Sequence, residues 1–98
     1  MILVTGSVHA QAATLPEVLA ISVEHVHRSR LEPGCLLHSA HQDVEDPMHV
    51  VFIEHWADAD ALRAHFRVPE SRAFAKRLGA LASERPGIEI YAAEPAAL

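Results

Sequence analysis

The run Val50-Val51-Phe52-Ile53 constrains this chain more than any other segment. Four successive apolar residues are too few for a buried helix. In a strand, Val51 and Ile53 point one way while Val50, Phe52 and Trp56 point the other. A sheet built around such a strand needs cover on both faces. Leu36 to Asp43 is also extended, and Val44-Glu45-Asp46-Pro47-Met48 lies between it and His49 to Trp56. Its Asp-Pro supplies a turn and its charges keep the tip in water, so the two segments form a hairpin.

Ile2 to Ala10, rich in Ile, Leu and Val, reads as a first strand buried on both faces. Thr14-Leu15-Pro16-Glu17 has capping-box spacing, with the Thr14 hydroxyl expected to accept from the third helical N–H while Glu17 reaches back. Leu15, Val18, Leu19, Ser22, Val26 and Ser29 recur at spacings of three and four, which predicts an amphipathic helix that Pro33-Gly34 stops. Arg28 and Arg30 complement its dipole. Past Trp56, Asp58 caps a short helix through Phe66, Pro69 interrupts it, and Glu70 to Ser83 resumes with Phe74, Leu78, Leu81 and Ala82 inward. Pro86-Gly87 ends that helix and Ile88 to Ala92 is the last strand. The order β-α-β-β-α-β predicts an α+β, ferredoxin-like fold over residues 1–98, with a four-stranded antiparallel sheet and its helices on one face. A second copy of the chain is the economical cover for the other face.

Charge and composition narrow the function classes. A net charge of −5 with 8 scattered Lys and Arg argues against a general nucleic-acid surface. One cysteine, Cys35, excludes an internal disulfide and a thiolate metal cluster, which suits a reducing compartment. The first residues lack the basic start and long apolar run of a secretory signal, and no segment is apolar for long enough to span a bilayer, so the expectation is a cytoplasmic protein without membrane contact. Gly6, Gly34, Gly79 and Gly87 are isolated, which disfavours a nucleotide cofactor. Eight histidines invite a metal hypothesis. His25 and His27, two apart on a helix, point to opposite sides, as do His38 and His41 on a strand. No pair has the spacing of a local chelate, and the expected metal set is none.

Glu32-Pro33-Gly34-Cys35-Leu36, Glu45-Asp46-Pro47, Glu54-His55-Trp56-Ala57-Asp58, Ala61-Leu62-Arg63-Ala64-His65 and Pro69-Glu70-Ser71-Arg72-Ala73-Phe74 follow one another in this order. With them the chain resembles the antibiotic biosynthesis monooxygenase family over nearly its whole length. The resemblance implies a dimeric α+β barrel whose two sheets pack face to face, with a pocket in each subunit between sheet and helices. It further implies oxidation of quinols or polycyclic phenols by molecular oxygen, with no cofactor. Haem-degrading relatives use an Asn on strand one, a Trp on the second helix and a His further along. Here strand one has no Asn, His65 stands in the Trp position, and Ala73 to Leu81 contains no His.

Such chemistry needs a base, hydrogen-bond donors and apolar walls. His65 is the first candidate for base or substrate anchor, because it lies next to Phe66 and one turn beyond Ala61 and Leu62, and imidazole titrates in the required range. The alternative is that it packs at the helix end. Trp56 and Phe66 are candidate walls for an aromatic substrate, with core filling the rival role for Trp56. Glu54 shares a strand face with Trp56. A hairpin centred near Asp46 puts His38 opposite Glu54, either as a carboxylate–imidazole pair orienting a proton acceptor or as an interface ion pair. Arg72 could fix an anionic phenolate or remain a solvated surface residue. The function expected is a cofactor-independent monooxygenase, a homodimer acting on a small aromatic quinol or polyphenol and molecular oxygen. The rivals are a non-catalytic dimeric binding protein for an apolar ligand and an oxygen-independent isomerase.

Overall fold

The hairpin at the centre of the chain sets the register of everything around it. In the computed structural model, which describes residues 1–98, β2 (Cys35–Gln42) and β3 (His49–Trp56) run antiparallel with His38 opposite Glu54 and Gln42 opposite Val50. Two Asp side chains close the tip. Asp43 Oδ1 accepts from the Glu45 N–H at 2.8 Å and Asp46 Oδ1 from the Met48 N–H at 3.1 Å. β1 (Ile2–His9) pairs with the far side of β3, and β4 (Gly87–Ala92) with β1, which gives an antiparallel sheet of order β2-β3-β1-β4.

Three helices accompany the sheet: α1 (Leu15–Ser29), α2 (Ala59–Arg67) and α3 (Pro69–Leu81). Asp58 caps α2 as expected, its Oδ1 accepting from the Ala61 N–H at 2.8 Å. The ring of Pro69 forces Val68 into an extended conformation, φ −63° and ψ 125°, so α2 ends there and α3 starts afresh on the proline. The capping box at Thr14 does not form. Thr14 has near-helical φ −104° and ψ −12°, not the extended backbone that aims a capping oxygen back at the helix. Its hydroxyl donates to the Leu81 carbonyl at 2.8 Å instead, while Glu17 accepts from Arg77 of α3. α3 stops at Leu81, short of Ser83. Ala82 is extended and bridges to Ala10, and the Ser83 N–H donates to the His9 carbonyl at 2.8 Å.

Burial alternates along β3: Val50, Phe52, Glu54 and Trp56 lie buried under the helices, whereas His49, Val51, Ile53 and His55 are half-buried on the other face. β1 follows suit, with Val4 and Val8 buried and Leu3, Thr5 and Ser7 half-buried, so in this single chain it is not buried on both faces. The apolar core falls into two clusters, one around Val8, Val18, Val50, Phe52 and Leu78, the other of Val4, Trp56 and Leu62. The other buried residues are polar: Ser22, His25, Ser29, His38, Glu54, His65 and Ser71, seven of the 17 buried residues. Polar groups at that density in so small an interior need partners and a reason. No helix is long and apolar enough to cross a membrane.

Candidate functional site

The buried polar groups meet where the end of α1, the loop after it, β2, β3 and the start of α3 surround α2. Val18, Ser22, His25 and Ser29 form one buried stripe of α1, which carries His25 inward while His27 stays exposed. The β3 alternation puts Glu54 and Trp56 under the helices, and the register sets His38 beside Glu54. On α2, Leu62 and His65 are the buried residues, three apart on one face. Arg28 lies in the last turn of α1 as expected and turns its guanidinium inward, while Arg30 Nε donates to the His38 carbonyl at 2.9 Å.

Glu32, in the loop between α1 and β2, organises one half of the site. Its Oε1 lies 2.9 Å from His65 Nδ1, and its Oε2 accepts from Arg28 at 3.2 Å. An ionised carboxylate can only accept, so this contact fixes the His65 proton on Nδ1 and leaves Nε2 with a free lone pair. Arg28 reaches His25 Nδ1 at 2.7 Å, and since a guanidinium only donates, the neutral His25 ring carries its proton on Nε2. Burial, then the neighbouring His38, His65 and Arg28, lower the His25 pKa to about 3, against the weaker pull of Glu54. His25 stacks on Phe74, centroids 3.9 Å apart, and His65 tilts over Trp56 at 4.7 Å.

The other half is built differently from the expected Glu54–His38 pair. Glu54 Oε1 accepts from the Trp56 indole N–H at 2.9 Å. His38 Nε2 lies 3.5 Å from the same oxygen, close enough for an ionic contact but without hydrogen-bond geometry, so both nitrogens of this fully buried ring lack a hydrogen-bond partner. Burial pushes the Glu54 carboxyl up, yet His38, the Trp56 donor and His65 together outweigh it and hold Glu54 below the usual carboxylate range. The hydrogen-bonded carboxylate–imidazole pair of the site is therefore Glu32–His65. Cys35, whose thiol burial and then Glu32 and Glu54 push up, stays a protonated thiol.

A cavity of about 260 Å³ opens between the sheet and the helices. His25, Glu54 and His65 are its polar wall, Phe52, Phe74 and Leu78 are apolar wall, and Phe66 and Arg72 lie on its exposed side. Of the residues singled out in the sequence, His65, Glu54, Phe66 and Arg72 border this space. His38 and Trp56 do not: Trp56 is a fully buried core residue and His38 sits behind the wall. His25, weighed in the sequence only as a metal ligand beside His27, and Glu32 were not singled out as site residues. His25 falls on the three-and-four spacing of α1, a signal open to reading, while Glu32 sits in a loop where no periodicity operates. Spacing along one element also cannot detect His25, His38 and His65 together, since each comes from a different element.

Residues 1–77 match the family model described as antibiotic biosynthesis monooxygenase. A crystal structure described as an antibiotic biosynthesis monooxygenase superimposes with a TM-score of 0.89 at 28% identity, covering 97% of this chain and all of that one. A crystal structure of a Deinococcus radiodurans protein, described as a candidate antibiotic biosynthesis monooxygenase, gives a TM-score of 0.93 at 26% identity over 100% of this chain and 97% of its own. Among curated proteins, the uncharacterised sll1783 of Synechocystis is 30% identical over 90 residues, 92% of this chain. The chain spans 61% of that relative's length.

Proposed function

Because the chain belongs to the antibiotic biosynthesis monooxygenase family, we propose that it oxidises a small aromatic quinol or polyphenol with molecular oxygen, without metal or flavin. The observation that carries this reading is His65, backed by Glu32, bordering an apolar, aromatic-walled cavity. Glu32 orients the ring and stabilises the imidazolium that forms when His65 Nε2 takes the proton of a substrate hydroxyl. The phenolate then gives one electron to dioxygen, and semiquinone and superoxide combine in a C–O bond. The peroxide O–O bond breaks, one oxygen remaining on the ring and the other leaving as water. Quinol plus dioxygen thus becomes hydroxyquinone plus water. Phe52, Phe66 and Phe74 hold the ring and exclude water, Arg72 attracts the phenolate, and Glu54 is a second polar anchor.

The reading extends to a homodimer. Leu3, Val51, Ile53 and Tyr91 stand on the helix-free face of the sheet, half-buried or exposed, and a second copy would cover them. The test is oxygen consumption by chelator-treated protein with a panel of quinols and polyphenols, against buffer and His65→Ala. Catalysed uptake with an oxygen-bearing product, reduced roughly 10²–10⁴-fold in His65→Ala, is expected. Saturable binding without uptake would mark a ligand carrier, and a product of unchanged mass an isomerase.

A further inference from the structure

We propose that His25, His38 and His65 form a binding site for one divalent late transition-metal ion, of the Zn²⁺ or Co²⁺ kind. The site goes beyond the oxidation proposed above and does not depend on it. The three imidazoles come from α1, β2 and α2, all are buried, and one nitrogen from each lies within 4.8 Å of the others. The Glu32 contact leaves Nε2 of His65 free to ligate. His25 ligates through Nε2 only when its proton moves to Nδ1, which requires Arg28 to release that nitrogen and keep its contact with Glu32. His38 is the decisive residue. Its side chain is 0% exposed and neither nitrogen has a hydrogen-bond partner, a cost that a bound ion removes.

The surroundings match what such an ion needs. His65 backed by a carboxylate is the arrangement that orients a metal-bound imidazole and raises its basicity. Arg28 opposes a cation, but it is paired with Glu32, and Glu54 adds a further negative charge 3.5 Å from His38 Nε2. Tetrahedral nitrogen ligation at about 2.0–2.1 Å sets the nitrogens roughly 3.3 Å apart, so the rings draw in on binding. The cavity bordered by His25, Glu54 and His65 is the entry path. An ion held there takes the lone pair of His65 Nε2, so where His65 acts as the base, metal and turnover compete.

The test titrates the full chain, stripped with a chelator, with Co²⁺ alone and reads the d–d absorption of tetrahedral nitrogen ligation, the stoichiometry, and the thermal midpoint. One equivalent should bind and raise the midpoint. His27→Gln/His41→Gln/His49→Gln should behave as wild type, Glu32→Gln should weaken affinity roughly 10- to 100-fold, and His25→Gln and His38→Gln should each abolish the signal. Should a buried substitution unfold the chain, the wild type decides alone. On adding Zn²⁺, long-range ¹H–¹⁵N spectra should shift the ring nitrogens of His25, His38 and His65 together. Absent d–d absorption in folded wild-type protein overturns the proposal. So does a signal that survives His25→Gln and His38→Gln, or one that vanishes only in the triple variant.

Discussion

Gly34→Ala tests how tightly the loop before β2 holds α2 in place. Gly34 has φ +83°, and a Cβ added there would sit 2.5 Å from Ala61 Cβ and 3.8 Å from Ala57 Cβ. A left-handed conformation costs a non-glycine residue roughly 1–2 kcal/mol. Carbon atoms pack best at about 3.5–4.0 Å, so loop or helix must recoil by about 1 Å, an overpacking strain of roughly 1–3 kcal/mol. The loop cannot swing away freely, because the Gly34 carbonyl accepts from the Ala57 N–H at 2.8 Å. Together these give a loss of about 2–5 kcal/mol, a large part of the roughly 5–15 kcal/mol that stabilises a domain. For a chain of this size the thermal midpoint should fall by roughly 10–30 °C, with an unchanged urea m-value. Circular dichroism melts measure this, with Gly79→Ala as control. Nothing lies within 4 Å of a Cβ at Gly79, exposed in the last turn of α3, so that change should stabilise by up to about 0.5 kcal/mol. Ala61→Gly in the Gly34→Ala background should relieve the clash but not the backbone strain, a favourable coupling of roughly 1–3 kcal/mol. Ala61 lies one turn before His65, so recoil of α2 would also disturb the Glu32–His65 contact. A Gly34→Ala protein within about 0.5 kcal/mol of wild type, or no coupling to Ala61→Gly, would refute the reasoning.

The depressed pKa of His25, faced by His38, His65, Arg28 and Glu54, makes chelator-treated protein acid-sensitive. The unfolded chain takes up a proton near 6.5 that the folded chain refuses until about 3, so the folding equilibrium constant should fall roughly tenfold per pH unit across that window. His25→Asn should flatten that slope, as denaturant melts at successive pH values will show. Trp56→Phe removes the donor to Glu54 Oε1 and should cost about 1–3 kcal/mol, read from urea midpoints. Glu54 stabilises the fold above the usual carboxylate range and loses that contribution as pH falls through its lowered value. Trp56→Phe should therefore move the Glu54 titration, followed by carboxyl ¹³C NMR, to higher pH.

Local signals carried most of the architecture. Alternation along β3, the Asp58 cap and the break at Pro69 each depend on residues a few positions apart, so the strands and helices were legible in the sequence; the hairpin register followed only on the condition that the turn centres near Asp46, which the pairing of His38 with Glu54 meets. Local reasoning failed where a distant group competed for the same atom. Thr14 had a capping box available, but the Leu81 carbonyl took its hydroxyl and Arg77 took Glu17. Glu54 stood opposite His38 as expected, yet its carboxylate turned to the indole of its own strand.

The sequence by itself determined where strands and helices lie, where the chain turns, that His65 shares a helix face with Ala61 and Leu62, and that Glu54 and Trp56 share one strand face, because those properties follow from strand and helix periods; with both strand faces apolar, the period did not decide which face the helices cover. Only the tertiary structure decided which imidazole meets which carboxylate. Glu32 reaches His65 across 33 positions of chain, and His25, His38 and His65 converge from three elements. Such contacts depend on how helices sit on the sheet to within an ångström, and no period along the chain encodes that distance.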